Sequence, residues 1–523
     1  MKYFKIFIIS SILLYSCDDM LEETPYTFLS SETTYDTDMG LSAGAVGLYD
    51  EFSYAYSSQL RDIYGLVHYG TDLSIAGTNA ESKGKTLAKY DGDYNSELTA
   101  FEKTWNHYYR LANKAVTIID RGNMHVWDDS DIEGSTMGEA YFFRAYAHFM
   151  LTSLWGEIPL IKNEIQSLTL DFKKDTKEDI NNLIISDLLM ASQYLPVSER
   201  QTGRITKGAA QHLLAYVYLS TEQWEKAEAY ADSVISGPYA LMTERFGVNS
   251  TDESKSVFTD LFDDGNYNAS EGNTEAIWVL QVEDMVSYPY AASSINDYGI
   301  NYTRRFWYSR YDKVAGLSSC VEYGGRGFNR CSASDYFLDL FDPEDIRGQE
   351  AALRRTWTYV DPSILPAGKE LGDTVPGSGT SASLRPHPTK FDYFNEALSS
   401  SYKDVYLFRL AETYLIKAEA QYRLNEDAAS TINIIRDRAN APQITNADID
   451  IDFILDERAR ELWGEVPRRI DLLRTGRFLD RVRNLNPEAE PQDWHVLLPI
   501  PQSAIDLNTE HLLEQNTGYN IEN

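Results

Sequence analysis

The stretch Gly138–Leu154, GEAYFFRAYAHFMLTSL, decides the fold, because Ala residues are interspersed in it with large aromatic ones in a helical pattern. Small residues between bulky ones let packed helices approach closely. Upstream, Phe101–Arg121, FEKTWNHYYRLANKAVTIIDR, repeats the composition, so the two segments are predicted to form a helix pair. A second pair is predicted to begin near Thr176. In its latter half Ala210, Leu213, Leu214, Val217 and Tyr218 fall at i, i+3, i+4, i+7 and i+8, on one helical face. After a break at Ser220 and Thr221 the rhythm continues through Trp224, Ala227, Ala231, Val234 and Ile235. The design returns late in the chain. Val405, Phe408, Ala411, Leu415, Ala418 and Tyr422 are predicted to line one helix face, and Ala429, Ile432, Ile435 and Ala439 the next.

Such pairs resemble tetratricopeptide repeats, helix-turn-helix units that stack into a scaffold, although here they keep no single period. From about residue 240 to 400 the helical signal gives way to Gly, Pro, Asn, Ser and Asp, with short apolar runs such as Ala276–Val282, AIWVLQV. Loops with a few short strands are predicted there. Gly368–Pro388, rich in Gly, Ser, Thr and Pro, reads as a mobile surface loop. So large an irregular insertion in a helical scaffold points to a functional role. The predicted fold is mainly α, with tetratricopeptide-like helix pairs as scaffold and a large loop-rich region containing a few short strands.

The N-terminus adds a location. Lys2 and Lys5 form a basic start, Phe4–Leu14 forms a mostly apolar stretch, and Ser16 then precedes Cys17. The run is too short to span a bilayer, which takes about 20 apolar residues. It has the layout of a cleaved secretion signal ending in a lipobox, departing from the usual pattern at the bulky Tyr15. Residues 1–16 are therefore read as a signal peptide and the Cys17 thiol as the lipidation site, so the chain is anchored to the membrane without crossing it. The acidic run Asp18, Asp19, Glu22 and Glu23 resembles the signal that sends lipoproteins to the outer face of the outer membrane.

The 523 residues include 47 Lys and Arg against 80 Asp and Glu, a net charge of −33. That field disfavours nucleic acid, whose binding needs clustered cations, and direct docking on anionic lipid. Besides Cys17 only Cys320 and Cys331 are present, flanking a segment that contains Gly324, Gly325 and Gly327. A disulfide between them and a pair of free, partly buried thiols are both open in a secreted chain. A metal centre is disfavoured, since the spacing is no CxxC pair and only eight His are present.

Several segments together resemble the SusD/RagB family of Bacteroidetes outer-membrane lipoproteins. They are the Cys17 lipobox, EAYFFRAYAHFMLTSLWGEIPLI at Glu139–Ile161, GRITKGAAQHLLAYVYL at Gly203–Leu219, VYLFRLAETYLIKAEAQYRL at Val405–Leu424 and IRDRAN at Ile435–Asn440. ILDERARELWGEVPRRIDLLRTGRF at Ile454–Phe478 and LLPIPQSAIDLN at Leu497–Asn508 complete the set, in the family's order. At GEVPRR the chain departs from it, with Val466 and Pro467 where an aromatic and Arg are usual. The resemblance implies a non-catalytic protein that binds glycans, or in some members peptides, and caps a SusC-like TonB-dependent transporter. It implies no cofactor. It divides the chain into a signal (1–16), an N-terminal helical region (17–240), a loop-rich ligand-binding region (241–400) and a C-terminal helical region (401–523). The family's binding residues lie on variable loops, so none can be carried over.

A neutral oligosaccharide offers apolar C–H faces edged by hydroxyls, and its site needs exposed rings flanked by amides, carboxylates or Arg. The richest stretch is Tyr288–Tyr311, YPYAASSINDYGINYTRRFWYSRY. Trp307 is the first candidate, with Tyr290, Tyr298, Tyr302, Tyr308 and Tyr311 as further rings and Asn301 and Arg305 as polar partners. Packing of these rings onto the scaffold is the competing reading, and whether Arg304, Arg305 and Arg310 mark an acidic sugar is left open. A second candidate is Asp72–Tyr94, through Asn79, Lys89, Tyr90, Asp91 and Tyr94. Asp456, Glu457, Arg458, Arg460 and Glu461, like Arg468, Arg469 and Asp471, are expected to make ion pairs that fix helix contacts. A protein-binding scaffold is the main alternative to a glycan binder. A glycoside hydrolase, which needs two opposed carboxylates, is less favoured, because no nucleophile elbow, HExxH or Walker loop is present.

Overall fold

The computed structural model describes residues 34–57, 61–282, 301–318, 321–394 and 401–519. Cys17 and the signal segment lie outside them. Twelve helices carry the scaffold: α1 (Asp38–Ser53), α2 (Ser82–Lys89), α3 (Thr99–Met124), α4 (Ser130–Trp155), α5 (Lys177–Tyr194), α6 (Lys207–Ser220), α7 (Trp224–Ile235), α8 (Leu410–Leu424), α9 (Ala428–Arg438), α10 (Ile451–Leu462), α11 (Arg468–Arg474) and α12 (Phe478–Leu485). Their starts follow local chemistry. Asp129, Thr176, Thr206, Asp427 and Asp450 each accept a hydrogen bond from a backbone N–H of the first turn of α4, α5, α6, α9 and α10, satisfying donors that have no intrahelical partner.

Each helix from α3 to α7 packs on the next, and α7 then packs on α8, which in turn packs on α9 and α10. The array is continuous in space although residues 236–409 leave it between α7 and α8. Helix α6 is buried almost all round, since α5, α7 and α8 cover it on different sides. Gly138 of α4 is one reason the layers close up: a Cβ there would come within 2.6 Å of Leu195, which ends α5.

The described residues contain three two-stranded antiparallel sheets: β1 (Ser74–Ala76) with β3 (Cys331–Ala333), β2 (Ala276–Leu280) with β6 (Val405–Arg409), and β4 (Leu353–Arg354) with β5 (His387–Pro388). Val405 and Phe408, expected on a helix, belong to β6, and the helix begins at Leu410. The reason is tertiary: β6 pairs with β2, whose Trp278 packs against Phe52 of α1, Phe142 of α4 and Phe408 at 5.1–5.4 Å. One core cluster runs from Leu41 to Tyr519, and two smaller ones lie in the loop-rich region. Gly368–Pro388, expected to be a mobile loop, is pinned by Val375 and Leu384, both at most 1% exposed.

The expected ion pairs are present, but most join distant elements. Arg458 of α10 donates to Asp471 of α11 at 2.9 Å and to Glu412 of α8 at 2.7 Å, and Arg474 bonds Glu419 and Asp471. Asp72, just before β1, accepts from Arg468 at 2.6 and 2.9 Å and from Arg481 at 2.8 Å. A second group joins Arg409 and Arg438 to Glu275 and Glu461, and Arg347 to Asp345, Glu457 and Glu461. Within a helix only Arg460–Glu457 and Arg474–Asp471 keep the i, i+3 spacing among the described residues. Arg469 departs from the expectation. It bonds the Tyr90 hydroxyl and the His495 carbonyl and lies 4.5 Å from the Phe478 ring centroid.

Removing one member leaves its partners buried and unneutralised, which costs more than the pair contributes. Arg409→Ala is expected to lower unfolding free energy by about 3–5 kcal/mol in a denaturant titration. Burial would raise the Glu457 carboxyl, but Arg347, Arg460 and Arg436 outweigh it and hold its pKa at about 2, against 4.5 ordinarily. A depressed folded-state pKa stabilises fully above pH 4.5 and less as pH falls toward 2. Stability should therefore decline over that window, and Glu457→Gln, itself less stable at neutral pH, should show a shallower decline.

Candidate functional site

Pairing of β1 with β3, in the register Ser74 to Ala333 and Ala76 to Cys331, brings the two candidate stretches together. Beyond the sheet, Gly77 N–H donates to the Arg330 carbonyl at 2.9 Å and Asn79 N–H to that of Asn329 at 3.1 Å. Only glycine fits at 77, where a Cβ would stand 2.1 Å from the Asn329 carbonyl oxygen. On the other side, Phe328 N–H donates to the Arg305 carbonyl and Arg330 N–H to that of Phe306, each at 2.9 Å. Arg330 spans the seam, bonding the Asn79 carbonyl and the Tyr302 hydroxyl and pairing with Glu81 at 3.1 Å.

The rings singled out in the sequence are corrected by their surroundings. Trp307 is 1% exposed, and its Nε1–H donates at 2.7 Å to the Tyr64 hydroxyl, which donates on to the Gly464 carbonyl at 2.6 Å. Tyr308 stacks on His387 at 4.0 Å and donates to Asp392. Tyr311 donates to the Gly325 carbonyl at 2.7 Å inside a small apolar cluster. Tyr302 and Arg305 are buried too, and Asn301 serves as an anchor, bonding the backbone of Ser401 and Lys403. In the second stretch Tyr90 donates to the Gly70 carbonyl at 2.8 Å, and Tyr94 packs among Tyr90, Phe101 and His495. As placed, these rings offer no face to a sugar. A tyrosine buries a large apolar body wherever its hydroxyl finds a partner, and here carbonyls and carboxylates within the fold provide most of the partners.

Tyr290, Tyr298 and Cys320 lie outside the described residues. Cys331 carries a free thiol in the structure. It sits fully buried in β3, its Sγ 3.4 Å from the Ile75 carbonyl oxygen, and burial pushes its pKa up.

Among the described residues the large exposed aromatics are Phe394, at 53%, and Trp494, at 41%. Phe394 lies at the candidate site. Tyr393 N–H donates to the Gly324 carbonyl at 3.1 Å and the Tyr393 carbonyl accepts from Arg304, which fixes this ring beside the loop leading to Phe328. The Lys255 ammonium lies 5.9 Å from the centroid of this ring. Nothing in KFDYFNEAL separates Phe394 from its buried neighbour Phe391; only the turn at Asp392 does. Nearby, burial raises the Asp404 carboxyl to about 6 and lowers the Lys403 ammonium to about 8. Elsewhere an apolar groove of about 590 Å³ lies between α3 and the 159–172 segment, walled by Trp105, Tyr109, Phe172 and Leu513. Among the described residues no group of three or more His, Cys, Asp or Glu is placed to hold a metal ion, and no helix is long and apolar enough to cross a membrane.

The profile of the SusD family matches residues 389–519, and a profile described as "Starch-binding associating with outer membrane" matches residues 19–219. A SusD-like protein of Formosa agariphila is 26% identical, over 97% of this chain and 97% of its own. The starch-binding protein SusD of Bacteroides thetaiotaomicron is 27% identical, over 73% of this chain and 72% of its own. Among solved structures, a laminarin-binding SusD-like protein superposes with a TM-score of 0.71 at 21% identity, covering 93% of this chain and 100% of its own. Matched at both ends by these profiles and over nearly its whole length by such relatives, the chain belongs to the SusD/RagB family.

Proposed function

We propose that this protein is a lipid-anchored, surface-exposed glycan binder of the outer membrane, which captures oligosaccharide and delivers it to a SusC-like TonB-dependent transporter without a catalytic step of its own. The observation that carries the reading is the similarity, over most of both chains, to a protein named for binding starch. The description of the N-terminal profile points the same way.

In this reading the ligand meets the protein at Phe394. Phe394 offers an exposed apolar ring for stacking on a sugar, and the Lys255 ammonium beside it can meet hydroxyls. In this reading residues 241–400 carry the ligand, residues 17–240 and 401–523 form the scaffold, and the Cys17 lipid holds the protein beside its transporter.

Binding of the chain Asp18–Asn523 to a panel of soluble polysaccharides and peptides tests the first step. At least one glycan class is expected to bind, and Phe394→Ala should weaken it about tenfold or more with unchanged unfolding. Trp307→Ala should instead cost about 3–5 kcal/mol of stability, through the cavity it leaves. Binding of peptides alone would overturn the glycan reading. For the tether, Cys17→Ala is expected to release the protein from the cell surface and abolish uptake of the bound glycan; normal uptake by that variant would refute the anchor.

A further inference from the structure

Four guanidinium groups converge on one ring. The central carbons of Arg305, Arg310, Arg326 and Arg330 lie 4.9, 5.5, 5.4 and 5.5 Å from the centroid of Phe328. They arrive from two segments, 305–310 and 326–330, that backbone hydrogen bonds hold together: Phe328 to Arg305, Asn329 to Tyr308 and Arg330 to Phe306. Gly327 permits the contact, since a Cβ there would lie 2.2 Å from the Tyr308 carbonyl oxygen. The two segments that carry the cations are thus held in register by the backbone.

Attraction to the ring does not account for the gathering. One cation over an aromatic face gains roughly 0.5–1 kcal/mol at exposed sites, and each further cation meets the repulsion of those already present. Among the described residues the carboxylates paired with these cations are shared. Asp312 is shared by Arg310 at 2.8 Å and Arg326 at 3.3 Å. Glu81 is shared by Arg330 at 3.1 Å and Lys83 at 3.9 Å, while Lys83 and Lys103 both approach Asp62. Among the described residues, and leaving Arg305 aside, five cationic side chains in this chain of contacts share three carboxylates, in a protein whose net charge is −33. The outer members reach solvent, with side chains 34% exposed at Arg326 and 21% at Arg330.

We propose that Arg326 and Arg330, backed by Arg310, form a binding site for an anionic substituent of the glycan, a carboxylate or a sulfate ester. The proposal rests on the glycan-binding reading and narrows it to acidic polysaccharides. A planar guanidinium presents paired N–H donors that match the oxygens of either group, and preorganisation lowers the cost of ordering them on binding.

Two measurements on the chain Asp18–Asn523 test it. In the first, sodium sulfate replaces sodium chloride at constant ionic strength and thermal unfolding is followed. Sulfate, which stabilises folded chains in general, is expected to raise the midpoint further in the native chain than in an Arg326→Gln, Arg330→Gln double variant. In the second, electrophoresis is run through gels containing polygalacturonate, κ-carrageenan or neutral laminarin, which separates carboxylate, sulfate ester and uncharged sugar. Retardation by one of the acidic polymers, weakened about tenfold in the double variant and by added salt, is expected. If the Gln variant fails to fold, Arg326→Lys with Arg330→Lys keeps the charge and removes the fork, and should still weaken retention. Equal behaviour of native and variant chains overturns the site. Retention by laminarin alone also overturns it and leaves the glycan reading standing. Sulfate protection reduced in the variant, with no polysaccharide bound, supports an anion site and overturns the glycan reading.

Discussion

The arrangement of this molecule depends on carboxylates and guanidiniums paired out of water. Asp72 holds Arg468 and Arg481 from almost the far end of the chain, and Asp471 holds Arg458 and Arg474 while accepting from the Tyr216 hydroxyl at 2.8 Å. Taking such charges out of water costs several kcal/mol per ion, and the attraction between them offsets it only when every partner is in place. The pairs therefore act less as a store of stability than as a condition on geometry: a helix that shifts strands a buried charge. Since Asp72 leads into β1, and the pairing of β1 continues from Gly77 and Asn79 to Arg330 and Asn329, the candidate site inherits its alignment from the ions buried just before that strand.

The scaffold was legible because helices announce themselves. Ala and aromatic residues at 3.6-residue spacing located the pairs 101–121 with 138–154 and the second pair beginning at Thr176, whose side chain caps α5. Ala276–Val282 was legible as a strand from its β-branched and aromatic content. Val405–Phe408 misled, because in the sequence its apolar spacing ran on smoothly into the helix, and only pairing with β2 converts it to a strand. The quoted acid and base residues were correctly expected to serve structure, but spacing along a helix could not reveal that Glu461 and Arg458 look outward to other helices.

The site was far less legible, and the reason is physical. In a helix or strand, periodicity says which face is buried; in an irregular segment nothing does. Tyr302, Trp307, Tyr308 and Tyr311 have the composition of a sugar platform, yet each lies in the interior. Phe394 differs from them only in where the turn at Asp392 points it. The arginines around Phe328 belong to segments about twenty residues apart, so no local pattern could gather them. Cys331 likewise follows from strand pairing rather than from its distance to Cys320.

The excursion of residues 236–409 between two helices that touch has a consequence in time. Helical arrays ordinarily fold fast, because their contacts are local and little chain entropy is spent before contacts form. Here α7 waits for α8, and β2 for β6, across a long loop, and Asp72 waits for Arg468. The pairings that close the array are long-range despite the helical content. During synthesis α7 emerges with one apolar flank uncovered until α8, in the last quarter of the chain, has followed, and in that interval the chain is most exposed to aggregation and proteolysis.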